Sequence, residues 1–384
     1  MGKLQTRLLS TICAALVFLA CFAAVVPQKV YALTATKNTQ DFIQYLGGMP
    51  SYQPSGETLY ISIGGTVYGV DSTVLTASML QAELVGSYLG EPCEPAAVYK
   101  EAYKAQVVAA YSFVKYANNR GSAVSSGQIA FRKPHAGTVR LAEQVAGQYV
   151  SYNGQVAQTF YTASAGLHTQ SNQYAWGGMA VPYLQGKACK YDEEAVTKTY
   201  TKSQMETILK NNGFSPSGDP SGWFRITQSY DDGYIYAITI CGKAKDGDFL
   251  KDMLSLRSYK ATVTYHASQQ QFTVVTKGYG HGVGMSQIGA QGYAKNEGWN
   301  YQQILTFYYT GTTVQGGRTP SPVTTGDVNQ DGTVDVLDLV AVQNHILGKT
   351  MLTGNALKAA DANGDGSVDV LDMVKIQNMI LGKG

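Results

Sequence analysis

The sequence predicts a mixed α+β body followed by a small all-α module at the C-terminus. In the body, residues 98–117 show helical periodicity. The short segments around it are rich in β-branched and aromatic residues and lack the regular strand–helix alternation of a parallel sheet. At the C-terminus, residues 327–348 recur with few changes at 361–382, and each copy ends in a helical pattern.

The first 32 residues are typical of an export signal. Lys3 and Arg7 precede an apolar run, and the sequence ending at Ala32 resembles a cleavage site. A transmembrane anchor is one alternative, and a lipoprotein signal around Cys21 is another. We favour cleavage after Ala32, which predicts a secreted, extracellular protein that has no membrane contact once the signal is removed.

The amino-acid composition and net charge argue against some classes of function. The chain has 384 residues, of which 44% are hydrophobic and 15% charged, which fits more than one globular domain. Loss of the signal removes three bases, so the net charge changes from 29 − 27 = +2 to 26 − 27 = −1. That balance gives no support to nucleic-acid binding. Cys93, Cys189 and Cys241 remain, and an odd number excludes a disulfide scaffold.

Local patterns place the elements of the body in order. Residues 59–70 alternate around Gly64-Gly65 and predict a hairpin, and residues 98–117 predict a helix. Asn300 is a predicted cap for a helix at 301–309. The predicted strands are 155–162, 234–241 and 271–276.

A glycine-rich segment follows the last predicted strand. Residues 277–299 read KGYGHGVGMSQIGAQGYAKNEGW and contain seven glycines. Glycine lets the main chain approach a ligand closely. We therefore expect His281 and Gln287 to contact a substrate, with Ser286 as a helix cap. The alternative is a packing turn in which His281 is a hydrogen-bonded strut.

The C-terminal repeat carries two calcium-loop patterns. Each copy places oxygen ligands at loop positions 1, 3, 5, 7, 9 and 12, with glycine at position 6, a spacing that suits Ca²⁺. The pattern predicts two Ca²⁺ ions. The predicted ligands are Asp327, Asn329, Asp331, Thr333, Asp335 and Asp338 in the first loop and Asp361, Asn363, Asp365, Ser367, Asp369 and Asp372 in the second.

The paired loop–helix unit at 327–384 resembles a type I dockerin, a module that binds a cohesin on a scaffold protein. A Gly/Pro/Thr-rich linker is predicted at 314–326 before it. The resemblance implies attachment to a cellulosome, and the matching copies imply two equivalent docking orientations. It also implies that cohesin is contacted by Val336, Leu337, Gln343, Asn344, Val370, Leu371, Gln377 and Asn378.

Three segments of the body, at 90–117, 159–186 and 256–312, resemble the stage II sporulation protein D family, which includes amidase-enhancer proteins. The resemblance spans about 57–313 and implies one α+β catalytic domain over 33–313. It implies a peptidoglycan lytic transglycosylase that cleaves MurNAc–GlcNAc linkages and leaves 1,6-anhydroMurNAc ends. One carboxyl group can serve such a reaction as acid and then as base. The rival function is a non-catalytic wall-binding or amidase-activating module.

The same resemblance suggests site residues. Gly90-Glu91-Pro92 matches the turn that carries the family's catalytic acid, so Glu91 is the expected acid and Glu101 the alternative. The family's arginine after Ala-Ala is Tyr111 here. Zinc on Cys93, Cys189 and a histidine is a disfavoured alternative, since no Cys-x-x-Cys spacing supports it. The expected substrate-binding residues are His281, Gln287, Ser164, Gly166, Lys104 and Gln106.

Overall fold

The computed structural model describes residues 33–86, 96–192, 195–317, 323–329, 333–349, 351–352 and 354–383. They fall into two compact units: the body comprises residues up to Pro50 and Gly56–Gly316, and the second unit comprises Ser51–Ser55 and the C-terminal residues from Gly317. Within the described residues, none of the helices is both long and apolar enough to cross a bilayer.

The body is mixed in secondary structure, as predicted. Its helices are α1 (Thr39–Tyr45), α2 (Ser72–Gly86), α3 (Lys100–Asn118), α4 (Ala136–Gln144), α5 (Asn172–Trp176), α6 (Lys202–Asn211), α7 (Gly247–Leu254), α8 (Gln287–Glu297) and α9 (Tyr301–Tyr308). Its strands are β1 (Thr58–Ile63), β2 (Thr66–Asp71), β3 (Val124–Ser125), β4 (Gln148–Tyr152), β5 (Gln155–Val156), β6 (Tyr161–Thr162), β7 (Ala195–Thr201), β8 (Phe224–Tyr230), β9 (Tyr234–Ile240), β10 (Lys243–Lys245), β11 (Ala261–His266), β12 (Gln271–Lys277), β13 (Met285–Ser286) and β14 (Thr313–Gly316).

The strands form several small sheets instead of one large one. Their orders are β2-β1-β3, β14-β4-β5, β10-β9-β8, β11-β12-β7 and β13-β6. Most neighbours are antiparallel, but β3 runs parallel to β1 and β13 runs parallel to β6. This segregation of small sheets and helices is typical of an α+β fold.

Helix α3 is the centre of the body. It is buried along most of its length and packs against α2, α8, α9 and β4. Small alanines at Ala105, Ala109 and Ala110 allow these close approaches. Residues 195–277 supply a second core, in which Trp223 stacks on Phe272 beside Ile238 and Leu250. The body therefore contains a helical core and a sheet-rich core.

Several predicted elements are confirmed. β1 and β2 form the expected hairpin, and Gly64 and Gly65 turn with φ of +56° and +88°. Asn300 caps α9 through the amide of Gln303. The strand expected at 155–162 is instead two short strands, β5 and β6. Helix α2 was not predicted, because it is buried on nearly all sides and therefore lacks the polar face that gives a helix its periodic pattern.

The C-terminal unit consists of α10 (Val336–Ile346), α11 (Gly354–Ala360) and α12 (Val370–Ile380). Helices α10 and α12 pack together, and their buried contacts include Val342 and Ile376. Val336, Val340 and Val374 belong to the apolar stripes seen in the sequence, but they are exposed. Those stripes therefore only partly describe the core.

Candidate active site

A carboxyl group from α2 lies against the first residue of α8. Gln287 is buried, and its Nε2 donates to Glu83 Oε2 at 2.7 Å. The same nitrogen lies 3.4 Å from Oε1 of Gln106, which is buried in α3. Three helices that are distant in sequence therefore converge on one acid and two amides.

The surroundings of Glu83 favour its protonated form. Burial raises the pKa of Glu83, and the hydrogen bond from Gln287 offsets part of that rise. Burial also raises the pKa of Tyr161 well above its usual value, and the nearby charge of Glu83 adds to this. At neutral pH the phenol is therefore protonated, and Glu83 holds its proton to a higher pH than an exposed glutamate.

Strand pairing and a helix cap place Gln287 at this position. β13 runs parallel to β6, so that Met285 pairs with Tyr161 and Ser286 with Thr162. Ser286 Oγ then accepts the N–H of Gly289 at 3.1 Å, which caps α8. The predicted cap at Ser286 and the start of a helix at Gln287 are both confirmed.

A buried carboxylate ties this cap to the turn after β6. Asp192 is 0% exposed and accepts the hydroxyls of Ser164 at 2.5 Å and Ser286 at 2.6 Å. It also accepts the N–H of Ala165 at 2.5 Å. Burial raises the pKa of Asp192, and these donors lower it in part. Asp192 was not predicted as a site residue from the sequence. It holds together two segments that were, the turn at Ser164 and the helix start at Ser286.

The predicted substrate residues Ser164 and Gly166 are engaged within the protein. Ser164 Oγ donates to Asp192, and the carbonyl of Gly166 accepts from Lys260 Nζ at 2.7 Å. Lys260 is buried and also pairs with Asp232 at 3.2 Å. Their contact with substrate stays a prediction, and the contacts described here hold the turn in place.

His281 lies among hydrogen bonds and aromatic rings. Its Nδ1 accepts the N–H of Val283 at 3.0 Å, and the ring also bonds to the backbone of Tyr161. Burial lowers the pKa of His281 to about 4, so the ring is neutral. Trp176 and Phe160 pack beside it. This arrangement matches a hydrogen-bonded strut, and sugar contact by His281 stays a prediction.

The glycines of the 277–299 segment meet internal packing demands. Gly282 and Gly284 have φ of +73° and +79°, a region that favours glycine. A Cβ at Gly282 would overlap the Tyr234 hydroxyl, and one at Gly284 would overlap the carbonyl of Phe160. Close packing thus accounts for glycine at these two positions.

Of the two acids predicted from the sequence, Glu91 and Glu101, the structure describes only Glu101. Glu91 lies outside the described residues. Glu101 Oε1 pairs with Lys104 Nζ at 2.8 Å, and its Oε2 accepts the N–H of Tyr301 at 3.0 Å at the start of α9. These contacts give Glu101 and Lys104 a structural role in joining α3 to α9. Catalysis by Glu101 and substrate binding by Lys104 stay predictions.

Tyr111, which replaces the expected arginine, belongs to a separate polar group. Its hydroxyl contacts Glu57, and Lys115 Nζ lies 2.5 Å from Glu57 Oε1. Lys115 is also 3.0 Å from the Tyr111 hydroxyl. The replacement is therefore accommodated next to β1 by a local ion pair.

The cysteines described in the structure are unpaired thiols. Cys189 is buried, which raises its pKa to about 12, and Cys241 is partly exposed. Cys93 lies outside the described residues. Within the ranges that are described, no group of three or more His, Cys, Asp or Glu side chains is close enough to hold a metal.

The second C-terminal loop folds around its first aspartate. Asp361 Oδ1 accepts the N–H of Asp365, and Oδ2 accepts that of Gly366, whose φ of +90° makes the turn. Asp372 is 0% exposed and accepts the N–H of Asn363 at 3.0 Å. Carboxylate, amide and hydroxyl oxygens are the donor types that Ca²⁺ prefers, but the acidic side chains of this loop, all of which the structure describes, bond to loop N–H groups and do not converge as a metal cluster.

The first loop has the same closing contact. Asp338 Oδ1 accepts the N–H of Asn329 at 2.8 Å. Asp331 lies outside the described residues. After each loop, an apolar pair at the helix start is strongly exposed, with Leu337 at 59% and Leu371 at 62%. Such repeated exposure of leucine is typical of a surface that a partner covers.

Comparison with known proteins assigns both units. Stage II sporulation protein D of Bacillus subtilis (strain 168) is 30% identical over 250 residues, which cover 57% of this chain and 70% of that protein. The chain belongs to the stage II sporulation protein D family. The "Amidase enhancer" of the same organism is 28% identical over 280 residues, and these cover 57% of this chain and 39% of that relative.

A second stage II sporulation protein D, from Bacillus amyloliquefaciens, is 29% identical over 174 residues, or 44% of this chain and 48% of the relative. The chain thus spans less than half of two of these relatives. Residues 325–381 match the dockerin type I domain. Both resemblances seen in the sequence are therefore confirmed, and type I dockerins generally bind calcium.

Glu83, like Asp192, is a site residue that was not predicted from the sequence. One signal could have found it, because Glu83 is the one charged residue between Asp71 and Glu91. An isolated acid in an apolar helix is rarely placed there by solvation alone. Because no helix was predicted at 72–86, this signal was not recognised. The Gly-Glu-Pro match favoured Glu91 instead.

Proposed function

We propose that the body is a secreted peptidoglycan lytic transglycosylase in which Glu83 is the catalytic acid. The observation that carries the proposal is the partly buried Glu83 carboxyl, hydrogen-bonded to Gln287 in this member of the stage II sporulation protein D family. A raised pKa keeps a carboxyl protonated at the pH where it must donate a proton.

The surroundings of Glu83 suit a reaction in which one carboxyl group acts first as acid and then as base. Glu83 would protonate the glycosidic oxygen between MurNAc and GlcNAc as the C1–O bond breaks. Its carboxylate would then take the proton of the sugar's C6 hydroxyl as that oxygen bonds to C1, which leaves a 1,6-anhydro end. Ordinary glycosidases need a second carboxylate as nucleophile or base. Among the residues that the structure describes, Gln106, Gln287 and Tyr161 lie beside Glu83, and all three are neutral.

Gln287 has a defined part in this scheme. Its amide donates to Glu83 and therefore stabilises the carboxylate that forms after proton transfer. This role differs from the substrate contact expected from the sequence, which would use the amide oxygen of Gln287 and stays a prediction. Glu91 remains an untested candidate for the acid.

We further propose that the dockerin attaches the body to a cohesin of a cellulosome scaffold. The support is the dockerin type I match and the exposed apolar pairs Val336/Leu337 and Val370/Leu371 at the two helix starts. Two Ca²⁺ ions would be held by the two oxygen-rich loops, with Asp338 and Asp372 closing them.

The rival function is supported by one relative, whose name is "Amidase enhancer". A body of that kind would bind the wall or activate an amidase without cutting glycan.

A product assay separates the two functions. The full-length secreted chain is incubated with peptidoglycan, with and without stem peptides, and the products are examined by mass spectrometry. We expect 1,6-anhydroMurNAc ends from the wild type and none from Glu83→Gln. Glu206→Gln is the matched control, since Glu206 is a surface residue near Lys202 and Lys210. Binding without product, or faster release of stem peptides when an amidase is added, would favour the rival.

A further inference from the structure

Two groups of aromatic side chains flank the short helix α5. The first, which we name the aromatic platform, consists of Phe113, Phe160 and Trp176. Phe160 lies 5.4 Å from Phe113 and 4.6 Å from Trp176 between ring centroids. All three side chains are partly exposed. The platform is therefore a surface feature, although its rings support one another.

The second group, which we name the tyrosine shelf, consists of Tyr174, Tyr230 and Tyr236. Tyr174 stacks on Tyr230 at 3.8 Å with an interplanar angle of 8°, and Tyr236 meets Tyr230 at 5.3 Å. Tyr174 is 36% exposed and Tyr236 is 48% exposed. Their neighbours on β8 include the uncharged Ile226 and Gln228, and Gln228 contacts the Tyr230 hydroxyl.

The fold holds platform and shelf in a fixed relation. Trp176 and Tyr174 both come from α5, so the two groups are separated by the width of one helix, about 10 Å. Asp231, directly after β8, accepts the N–H of Ser171, the cap of α5, at 2.9 Å. Because these rings are already ordered, a ligand that stacks on them loses little further side-chain entropy.

The platform also adjoins the Glu83 cluster. Phe113 and Gln106 are seven residues apart on α3 and therefore lie on the same face, about 10 Å apart along the helix. Phe160 and Trp176 also pack on His281, whose ring bonds to the backbone of Tyr161, and the Tyr161 phenol is near Glu83. The aromatic groups thus extend away from the proposed cleavage site instead of forming an isolated patch.

We propose that platform and shelf form one binding strip for a glycan strand, several sugars beyond the bond that is cut. This rests on the proposed function. A sugar ring has an apolar face edged by hydroxyls, which matches tyrosine's apolar ring and polar tip. The occupant of the strip is a long, stem-peptide-free glycan strand, and short fragments reach only the cleavage site.

The test is a binding measurement on the full-length Glu83→Gln protein, which keeps a neutral hydrogen-bonding group at position 83. Calorimetry would compare purified glycan strands of defined length with a single disaccharide. Tyr236→Ala removes a ring of the shelf, Tyr236→Phe keeps the ring, and Tyr45→Ala removes an equally exposed tyrosine on α1. Thermal unfolding would check that each variant is folded.

We expect Tyr236→Ala to weaken binding of long strands about three- to tenfold and to leave disaccharide binding unchanged. Tyr236→Phe, which keeps the stacking ring and loses only the polar tip, should lose less affinity than Tyr236→Ala, and Tyr45→Ala should bind long strands as the parent does. Unchanged affinity in Tyr236→Ala, or an equal loss for the disaccharide, would overturn the strip. So would sedimentation data showing that Tyr236 mediates self-association of the chain.

The glycan-binding strip and the proposed transglycosylase reaction can be refuted independently of each other. If the wild type releases no anhydro ends while binding of long strands still depends on Tyr236, the transglycosylase proposal falls and the strip stands. If cleavage occurs and binding is independent of Tyr236, the strip falls and the reaction stands.

Discussion

Replacing Gln287 by leucine tests whether its amide tunes the proposed acid. The substitution preserves side-chain size on α8 and removes the 2.7 Å hydrogen bond to Glu83 Oε2. That bond favours the ionised carboxylate, so its loss raises the pKa of Glu83 further. An enzyme that needs protonated Glu83 loses activity as pH rises through this pKa. The basic limb of the pH profile should therefore move to higher pH.

The size of the shift follows from the strength of one hydrogen bond. A hydrogen bond to a charged group contributes about 1.5–3 kcal/mol, and the lower end applies because Glu83 is only partly buried. Since about 1.4 kcal/mol corresponds to one pH unit, the limb should move up by about one unit. The leucine also leaves Gln106 Oε1 without this neighbour, so a modest loss of stability should accompany the shift.

The assay is kcat/KM for release of anhydro ends between about pH 4 and pH 9, where the limb reports the free enzyme. Gln291→Leu is the matched control, because Gln291 lies one turn along α8 and interacts with Tyr103 instead. A limb that stays in place in Gln287→Leu, or that moves to lower pH, would refute the assignment of Gln287 as the donor to a catalytic Glu83.

Four further predictions concern stability and the dockerin. Because the fold raises the pKa of Glu83, this carboxyl ionises at lower pH in the unfolded chain than in the folded protein, and the wild type loses stability as pH rises. The melting temperature of Glu83→Gln should therefore exceed that of the wild type at about pH 8 and equal it at about pH 4. Asp192→Ala strands three buried donors and should cost about 3–5 kcal/mol in urea unfolding, whereas a loss under about 1 kcal/mol would contradict its role as a hub. A calcium chelator should reduce helical circular dichroism of the chain, and a spectrum unaffected by chelation would argue against the two loops as calcium sites. Leu337→Asp or Leu371→Asp alone should keep cohesin binding, and only the double variant should lose it, if each helix start can dock.

The sequence predicted elements whose signals are local. The β1–β2 hairpin follows from alternation around two glycines, and the capped starts of α8 and α9 follow from Ser286 and Asn300. The two predicted calcium loops are equally local, because their expected ligands lie within twelve consecutive residues. These patterns need no knowledge of tertiary packing.

The site depends on contacts that no local pattern contains. Glu83 and Gln287 are 204 residues apart, and Asp192 meets Ser286 across 94 residues. In the sequence, Glu83 stands out only as an isolated acid in an apolar segment, and its partners become visible only in the folded chain. His281 shows the converse case, since a histidine among glycines suggested a ligand contact, whereas its Nδ1 bonds to Val283 within the same turn.

The identity of the acid is tested most directly by comparing three substitutions in one assay. Glu83→Gln, Glu91→Gln and Glu101→Gln proteins would be incubated with peptidoglycan, and 1,6-anhydro ends would be counted by mass spectrometry. Our prediction is that product disappears with Glu83→Gln and persists with the other two. Product that survives in Glu83→Gln and vanishes in Glu91→Gln or Glu101→Gln would contradict it.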